Sequence, residues 1–315
     1  MTTKTHHLTI SPSHLLVDLR QRAEYAALRL LAAGIRALPL DAGANLSGRL
    51  WRLLAPFSRR RHRRALANLA IAFPEKTQAE REAIARAMWE NLGRVMAETM
   101  QIDRLIADPG RIALEPATER VFARYKNKMG AAVGVSLHMG NWELAAWPMT
   151  VAGNNPAAIY RSVNNPYVDR WLRWLRRDLY PGGLLGKGRI NGSAEEGQRT
   201  ARLITDYVRK GGRLGMVCDL YDRTGLPVPF FGHPAPSVTI AGMIARRVGA
   251  RIWLSRCLRQ GRSSRFTIEL KELKVPRTAS PADDVKWITV AMQQQFETWI
   301  REAPEQWMWS NRRWS

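Results

Sequence analysis

From residue 131 onward the chain alternates short apolar runs with longer mixed stretches. The runs are AAVGVSL at 131–137, AAIY near 157, RLGMVC near 213, ARIWLS near 250 and RFTIEL near 265, all of a length suited to buried strands. Between and after them, 142–151, 167–179, 195–210, 238–248 and 283–302 read as helices, and the chain closes on the aromatic segment PEQWMWSNRRWS. Strand and helix in alternation predict an α/β fold: a central, mostly parallel or mixed sheet flanked by helices. No internal repeat, low-complexity tract or long linker interrupts the pattern.

The first third reads differently. Residues 15–40 have helical character, but Arg20, Arg22, Arg29 and Arg36 interrupt the apolar content too often for a membrane span of about 20 residues. Arg22, Arg29 and Arg36 are spaced by seven, which drifts by about 20° per step, so they share one face, with Leu28, Leu31, Ile35 and Leu38 opposite. This is an N-terminal amphipathic helix fit to lie among lipid headgroups; a packed core helix has the same pattern. In SRRRHRRALANLAIAFPE, Arg59, Arg60, Arg61, Arg63 and Arg64 lie within six residues and call for polyanionic company or a fully solvated face. Residues 77–105 form a further helix, with Ile84, Met88, Leu92, Val95 and Met96 at helical spacing. The reading divides the chain into a membrane-associating helical segment at 1–58 and a main domain at 59–315.

Composition adds a statement about partners. The 315 residues include 49 Lys and Arg against 27 Asp and Glu, a net charge of +22. Such an excess attracts nucleic acid, anionic headgroups or acidic proteins, and does not by itself choose among them. Cys218 and Cys257 are far apart with no His cluster beside them, so neither a disulfide framework nor a zinc site is indicated. The opening MTTKTHHLTISPSHLL lacks the basic start, apolar run and cleavage site of a signal peptide, which points to the cytoplasm.

The chemistry gathers at His138. It follows AAVGVSL and so stands at the carboxyl end of a strand, where open α/β sheets place their ligands. Gly140 supplies a turn and Asn141 a helix N-cap in the succeeding MGNWELAAW. Glu143 is five residues after His138; on a continuous helix the two side chains would diverge by about 140°, but with the turn between them Glu143 can fold back toward the imidazole. In such a dyad the imidazole removes a proton from a hydroxyl and the carboxylate fixes its tautomer. No G-x-S-x-G elbow is present, which favours direct transfer to a substrate hydroxyl over a covalent intermediate. The bare spacing is weak, at roughly half a chance match per chain of this composition, so its surroundings must decide.

Those surroundings resemble the late lipid A biosynthesis acyltransferases, lauroyl and myristoyl transferases within the lysophospholipid acyltransferase superfamily. The likeness runs from about residue 60 to the end, through RRALANLAIAFPE, SLHMGNWELAA, IYRSVNNPYVDRWLRWLR, CDLYDRTGLPVPFFGHPAPSVT and PEQWMWSNRRW, in the family's order. It implies a glycerolipid acyltransferase-like fold at 59–315, His138 as general base with Glu143 as partner, and Arg161 as an anion-binding residue. Asp219, after RLGMVC, looks like a substrate-positioning acid of the family's third block, and Phe230, Phe231 and Gly232 resemble its fourth block, an apolar acyl-chain site. Each has a plainer alternative: a structural ion pair for Arg161, a loop cap for Asp219, core packing for the phenylalanines.

The resemblance further implies an acyl carrier protein thioester as donor, an anionic lipid A precursor as acceptor, and no cofactor or metal. The arginines of the first segment, where many relatives are more hydrophobic, favour peripheral attachment to the cytoplasmic face of a bacterial inner membrane. The segment DRWLRWLRRDLY, with Trp171 and Trp174 among arginines, adds a second interfacial pattern. Two rivals stand beside this reading. One is an acyltransferase of the same superfamily acting on a lysophospholipid, glycolipid or ornithine-type lipid; the other is a non-enzymatic binder of nucleic acid or anionic membrane, although no nucleic acid motif is present.

Overall fold

The computed structural model describes residues 12–125, 130–186 and 194–314. Five helices come first: α1 (Pro12–Arg36), α2 (Leu40–Leu54), α3 (Arg59–Ala72), α4 (Gln78–Thr99) and α5 (Ile102–Ile106). The sheet region follows with β1 (Ile112–Leu114), α6 (Pro116–Tyr125), β2 (Ala132–Gly140), α7 (Trp147–Val151), β3 (Pro156–Tyr160), α8 (Pro166–Leu175), β4 (Leu184–Gly186), α9 (Ala194–Arg209) and β5 (Arg213–Val217). A hairpin of β6 (Leu226–Phe230) and β7 (His233–Ser237) precedes α10 (Ile240–Val248), β8 (Arg251–Arg259), β9 (Phe266–Leu273) and α11 (Pro281–Glu302).

Seven strands form one sheet in the order β1-β9-β8-β2-β5-β3-β4. All neighbours are parallel except β8 and β9, which run antiparallel, so the expected mostly parallel, mixed α/β sheet is present. The central strand β2 is flanked by β8 and β5, and its Val133, Val135, Leu137 and Met139 are wholly buried. Burial on both faces suits its nearly continuous apolar sequence. Helix ends are marked in the chain itself: Thr77 and Glu80 close a reciprocal capping box on α4, and Ser280 caps α11 through the Asp283 N–H.

The N-terminal helix is present, starting at Pro12 and ending at Arg36 rather than running on to Leu40. Pro39 ends the run, and α2 begins as a separate helix at Leu40. Helix α2 packs along α4 at very close range: a Cβ on Gly93 would stand 2.7 Å from both the Ser47 carbonyl oxygen and Trp51 Cβ. The predicted helix at 77–105 is likewise two, α4 and α5. Among the described residues no helix is long and apolar enough to cross a membrane.

After α11 the chain turns back under the sheet. Trp307 bridges Met139 and the Met308 N–H donates to the His138 carbonyl, so 304–314 form a strap beneath the carboxyl end of β2. Asn68 of α3 holds that strap by donating to the carbonyls of Trp309 and Asn311 at 2.8 Å each. Trp307, Trp309 and Trp314 pack there with Phe73, Phe230 and Phe231.

Candidate active site

Strand register builds the site. Ser136 of β2 is level with Val217 of β5, and the Cys218 N–H donates to the Ser136 carbonyl at 3.0 Å. Two residues further along both strands, His138 and Asp219 come side by side at the carboxyl edge of the sheet. The Asp219 carboxylate accepts from His138 Nδ1 at 2.8 Å, from the His138 backbone N–H at 2.8 Å and from Trp307 Nε1 at 2.7 Å. An ionised carboxylate only accepts, so Nδ1 carries the proton and Nε2 is left as the basic nitrogen. Burial alone would raise the Asp219 pKa, but the neighbouring imidazole and these three donors hold it below the usual carboxylate value. Burial likewise disfavours the imidazolium, yet the charge and hydrogen bond of Asp219, with a smaller contribution from Glu143, raise the His138 pKa above its ordinary value.

The turn after His138 is rigid. Gly140 has φ +57°, and a Cβ there would lie 1.7 Å from the Cys257 carbonyl oxygen of β8, so only glycine fits. The Gly140 carbonyl accepts from Asn91 at 3.0 Å, and Asn141 donates to Glu98 at 2.9 Å, both partners on α4. Arg259 binds both oxygens of the fully buried Glu98, and its Nε donates to Asn91 at 2.9 Å. A buried polar network of this kind, in which both Glu98 carboxylate oxygens are paired, fixes one geometry.

Glu143 sits in the 3-10 turn Trp142–Ala146 that follows. The expected contact with the imidazole is not made: Asp219 holds that position, and Glu143 is gripped by Arg176, with Nε to Oε2 at 2.6 Å and Nη2 to Oε1 at 2.5 Å. The physical reason is orientation. The 3-10 turn carries the carboxylate toward the end of α8, where a planar fork meets both its oxygens. Glu143 and its strong field then keep the buried Arg176 charged against the opposing effect of burial. Trp142 packs edge-on to the His138 ring at 5.1 Å.

A cavity of about 220 Å³ opens beside this constellation. Its floor is Ala132, Gly134 and Ser136 of β2 with Gly215 of β5 and Ala158 of β3. Residues 132, 134 and 136 alternate onto one face of β2, the strand register shifts after Ser136, and His138 reaches the cavity wall through its ring contact with Trp142. The space exists because these positions are small: nothing lies within 3.8 Å of a Cβ built on Gly134. Trp142, Met149, Tyr160, Tyr180 and Trp253 wall it, and Glu143, Arg161 and Arg176 are its charged lining near the strands' carboxyl ends. Burial, with Asp169 next in effect, raises the Tyr160 phenol to about 12, so it stays neutral.

The remaining expected residues are more scattered. Arg161 is exposed, lines the cavity, and has no ion pair among the described residues. Phe230 and Phe231 do not line the cavity; they are buried against Phe73, Trp309 and Trp314, the core-packing alternative. The cause is a two-residue hairpin turn at Phe231 and Gly232, φ +51° and +74°, which folds both rings inward. Sequence reasoning missed Arg176 and Trp307. The first was one arginine of four in DRWLRWLRR, and the second one tryptophan of three in the closing segment; residue type alone could not single out either.

The polar pair stands at the carboxyl edge of a mostly parallel sheet, near a largely apolar cavity. Known proteins give the class. The sequence model of the bacterial lipid A biosynthesis acyltransferases matches residues 18–315. The lipid A biosynthesis lauroyltransferase of Escherichia coli (strain K12) is 27% identical over 88% of this chain and 86% of its own length. The myristoyltransferase and palmitoleoyltransferase of lipid A biosynthesis from the same organism are each 24% identical over 88% of this chain, covering 82% and 86% of theirs. The chain is an acyltransferase, and it belongs to the bacterial lipid A biosynthesis acyltransferase family.

Proposed function

We propose that this enzyme transfers a fatty acyl group from an acyl carrier protein thioester to a hydroxyl of a lipid A precursor, working peripherally at the cytoplasmic face of the inner membrane. The observation that carries the reading is the His138–Asp219 pair, whose imidazole packs on Trp142 in the wall of the glycine-floored cavity. The apolar cavity suits an acyl chain, since each methylene taken from water contributes about 0.8 kcal/mol.

His138 Nε2 takes the proton of the acceptor hydroxyl as its oxygen attacks the thioester carbonyl. Asp219 holds the imidazole through Nδ1 and stabilises the imidazolium that forms. The tetrahedral intermediate carries an oxyanion, and collapse expels the carrier's thiolate, which takes the proton back from His138. Arg176 is suited to the oxyanion: Glu143 occupies Nε and Nη2, and the buried Nη1 has no acceptor. Glu143 thus acts by fixing Arg176, while Arg161 at the cavity meets a phosphate of either substrate. The basic surface steers an acidic carrier protein.

The test incubates the purified protein with acyl carrier protein thioesters and a tetraacylated, Kdo-bearing lipid A precursor, and weighs the lipid by mass spectrometry. A gain of one acyl chain that is lost in a folded His138→Ala variant is the expected result. No gain with this lipid, but a gain on a lysophospholipid or ornithine lipid, reassigns the acceptor. Undiminished transfer by the variant removes His138 from the mechanism.

A further inference from the structure

The amphipathic pattern of α1 is taken up inside the protein only in part: Leu15, Leu16, Val17, Leu19, Leu30 and Leu31 stay exposed. Leu28 and Ile35 pack with Trp171 and Leu175 of α8 and Ile102 and Leu105 of α5. Arg22 lies over the Tyr167 ring, Arg29 over Tyr25 and Trp171, and Arg36 pairs with Asp103 at 2.6 Å. Trp171 of the Trp-Arg segment is buried too.

Helix α2 gathers its exposed leucines into one stripe directly ahead of an arginine cluster. Its inner face is fixed on α4, with Ala44 and Gly48 buried and Ser47 Oγ donating to the Gly93 carbonyl at 2.7 Å. Its other face carries Leu46, Leu50, Leu53 and Leu54, which fall within an arc of about 100° on the helix and are all exposed. Phe57, one turn on, is 81% exposed. Immediately after it, Arg59, Arg60, Arg61 and Arg63 are exposed on the first turns of α3, with no ion pair among the described residues. Their outward orientation is set by His62, whose ring is held inward between Glu82 at 2.9 Å and Trp89 at 3.1 Å.

We propose that the outer face of α2, Phe57 and the arginine turns of α3 form one docking surface for an anionic lipid monolayer. The leucines and Phe57 enter the acyl boundary and the guanidinium groups take the headgroup phosphates. The proposal rests on the lipid-acylating reading for why a lipid surface is met, and it assigns the contact to α2 and α3. Charge complementarity selects the occupant. A second copy of the chain would bring two uncompensated arginine clusters to one interface, and a nucleic acid would leave the leucine stripe in water.

The experiment is sedimentation of the full chain with vesicles of phosphatidylcholine alone or mixed with phosphatidylglycerol, without donor or turnover. Binding to the anionic vesicles is expected, reduced about tenfold or more by Leu50→Asp, Leu53→Asp and Phe57→Asp combined, and equally by Arg59→Glu, Arg60→Glu and Arg61→Glu combined. Leu203→Asp, at an exposed leucine of α9, leaves it unchanged. All these positions are on the surface, and thermal melting verifies each fold. Vesicle binding retained by both combined variants overturns the proposal. So does a dimer, seen by light scattering, that the Leu-Phe variant dissolves in the absence of vesicle binding, or duplex DNA binding lost only in the arginine variant. Since no acyl transfer is measured, failure here leaves the proposed reaction standing, and failure of that reaction leaves the surface standing.

Discussion

At the scale of single residues, the site turns on one carboxylate with three donors. Asp219→Asn removes the charge that holds His138 in its tautomer, and transfer falls by roughly 10²–10⁴-fold, measured as kcat with a saturating acceptor. With His138 as the proposed base, which works only when neutral, activity is expected to rise with pH through its pKa. That rising limb lies above the ordinary imidazole range because Asp219 and Glu143 raise the pKa. In Asp219→Asn it moves to lower pH. Trp307→Phe moves it the other way: losing the indole N–H leaves more negative charge on Asp219 facing the imidazole. Glu143 faces the same ring, its charge countered by Arg176, and Arg313 faces Asp219; both variants leave these groups in place. Trp309→Phe is the comparison, since its N–H donates to the Pro304 carbonyl at 2.6 Å and not to the carboxylate. It destabilises the strap but leaves the limb where it was; a limb unmoved in both tryptophan variants would remove Trp307 from the tuning of the pair.

At the scale of elements, the cavity is made by what β2 and β5 lack. A Cβ at Gly134 makes only ordinary van der Waals contacts, so Gly134→Leu is expected to extend into the cavity and shorten it. Thioesters of long chains then lose kcat/KM relative to short ones, by about fourfold for each methylene displaced, read from a competition among chain lengths. Equal losses at every length would place the acyl chain elsewhere. The strands that form this floor were legible in the chain because each is a compact apolar run, and His138 was legible as the residue ending one of them. The three-residue edge strands β1 and β4 were not, being too short to show a period. Neither was the pairing of His138 with Asp219. The residues are 81 apart, and only the adjacency of β2 and β5, a tertiary fact, makes them neighbours. The local spacing favoured Glu143, the nearest acid in sequence, whereas the direction of the 3-10 turn sends it to Arg176.

Across the whole molecule, the net charge of +22 gives encounter with any acidic partner a strong dependence on ionic strength. With a carrier protein thioester as donor, kcat/KM falls steeply as salt rises across the range where the Debye length shrinks from about 30 to 8 Å, while kcat changes little. A salt-independent kcat/KM would argue against an acidic carrier. Part of that charge was assigned from sequence to α1, where Arg22 and Arg29 lie over aromatic rings and Arg36 pairs with Asp103. An amphipathic period says that a helix has two faces; what each face meets is decided by the rest of the chain.

The strap under β2 gives the enzyme a timetable. During synthesis His138 and Asp219 leave the ribosome well before Trp307, which lies 88 residues after Asp219. At about 5–20 residues per second, that interval is roughly 4 to 18 s. Throughout it the acid of the pair lacks one of its donors and the carbonyl of His138 lacks the Met308 N–H. A nascent chain therefore holds His138 and Asp219 without their final alignment, and on the proposed mechanism the reaction waits for the strap to dock.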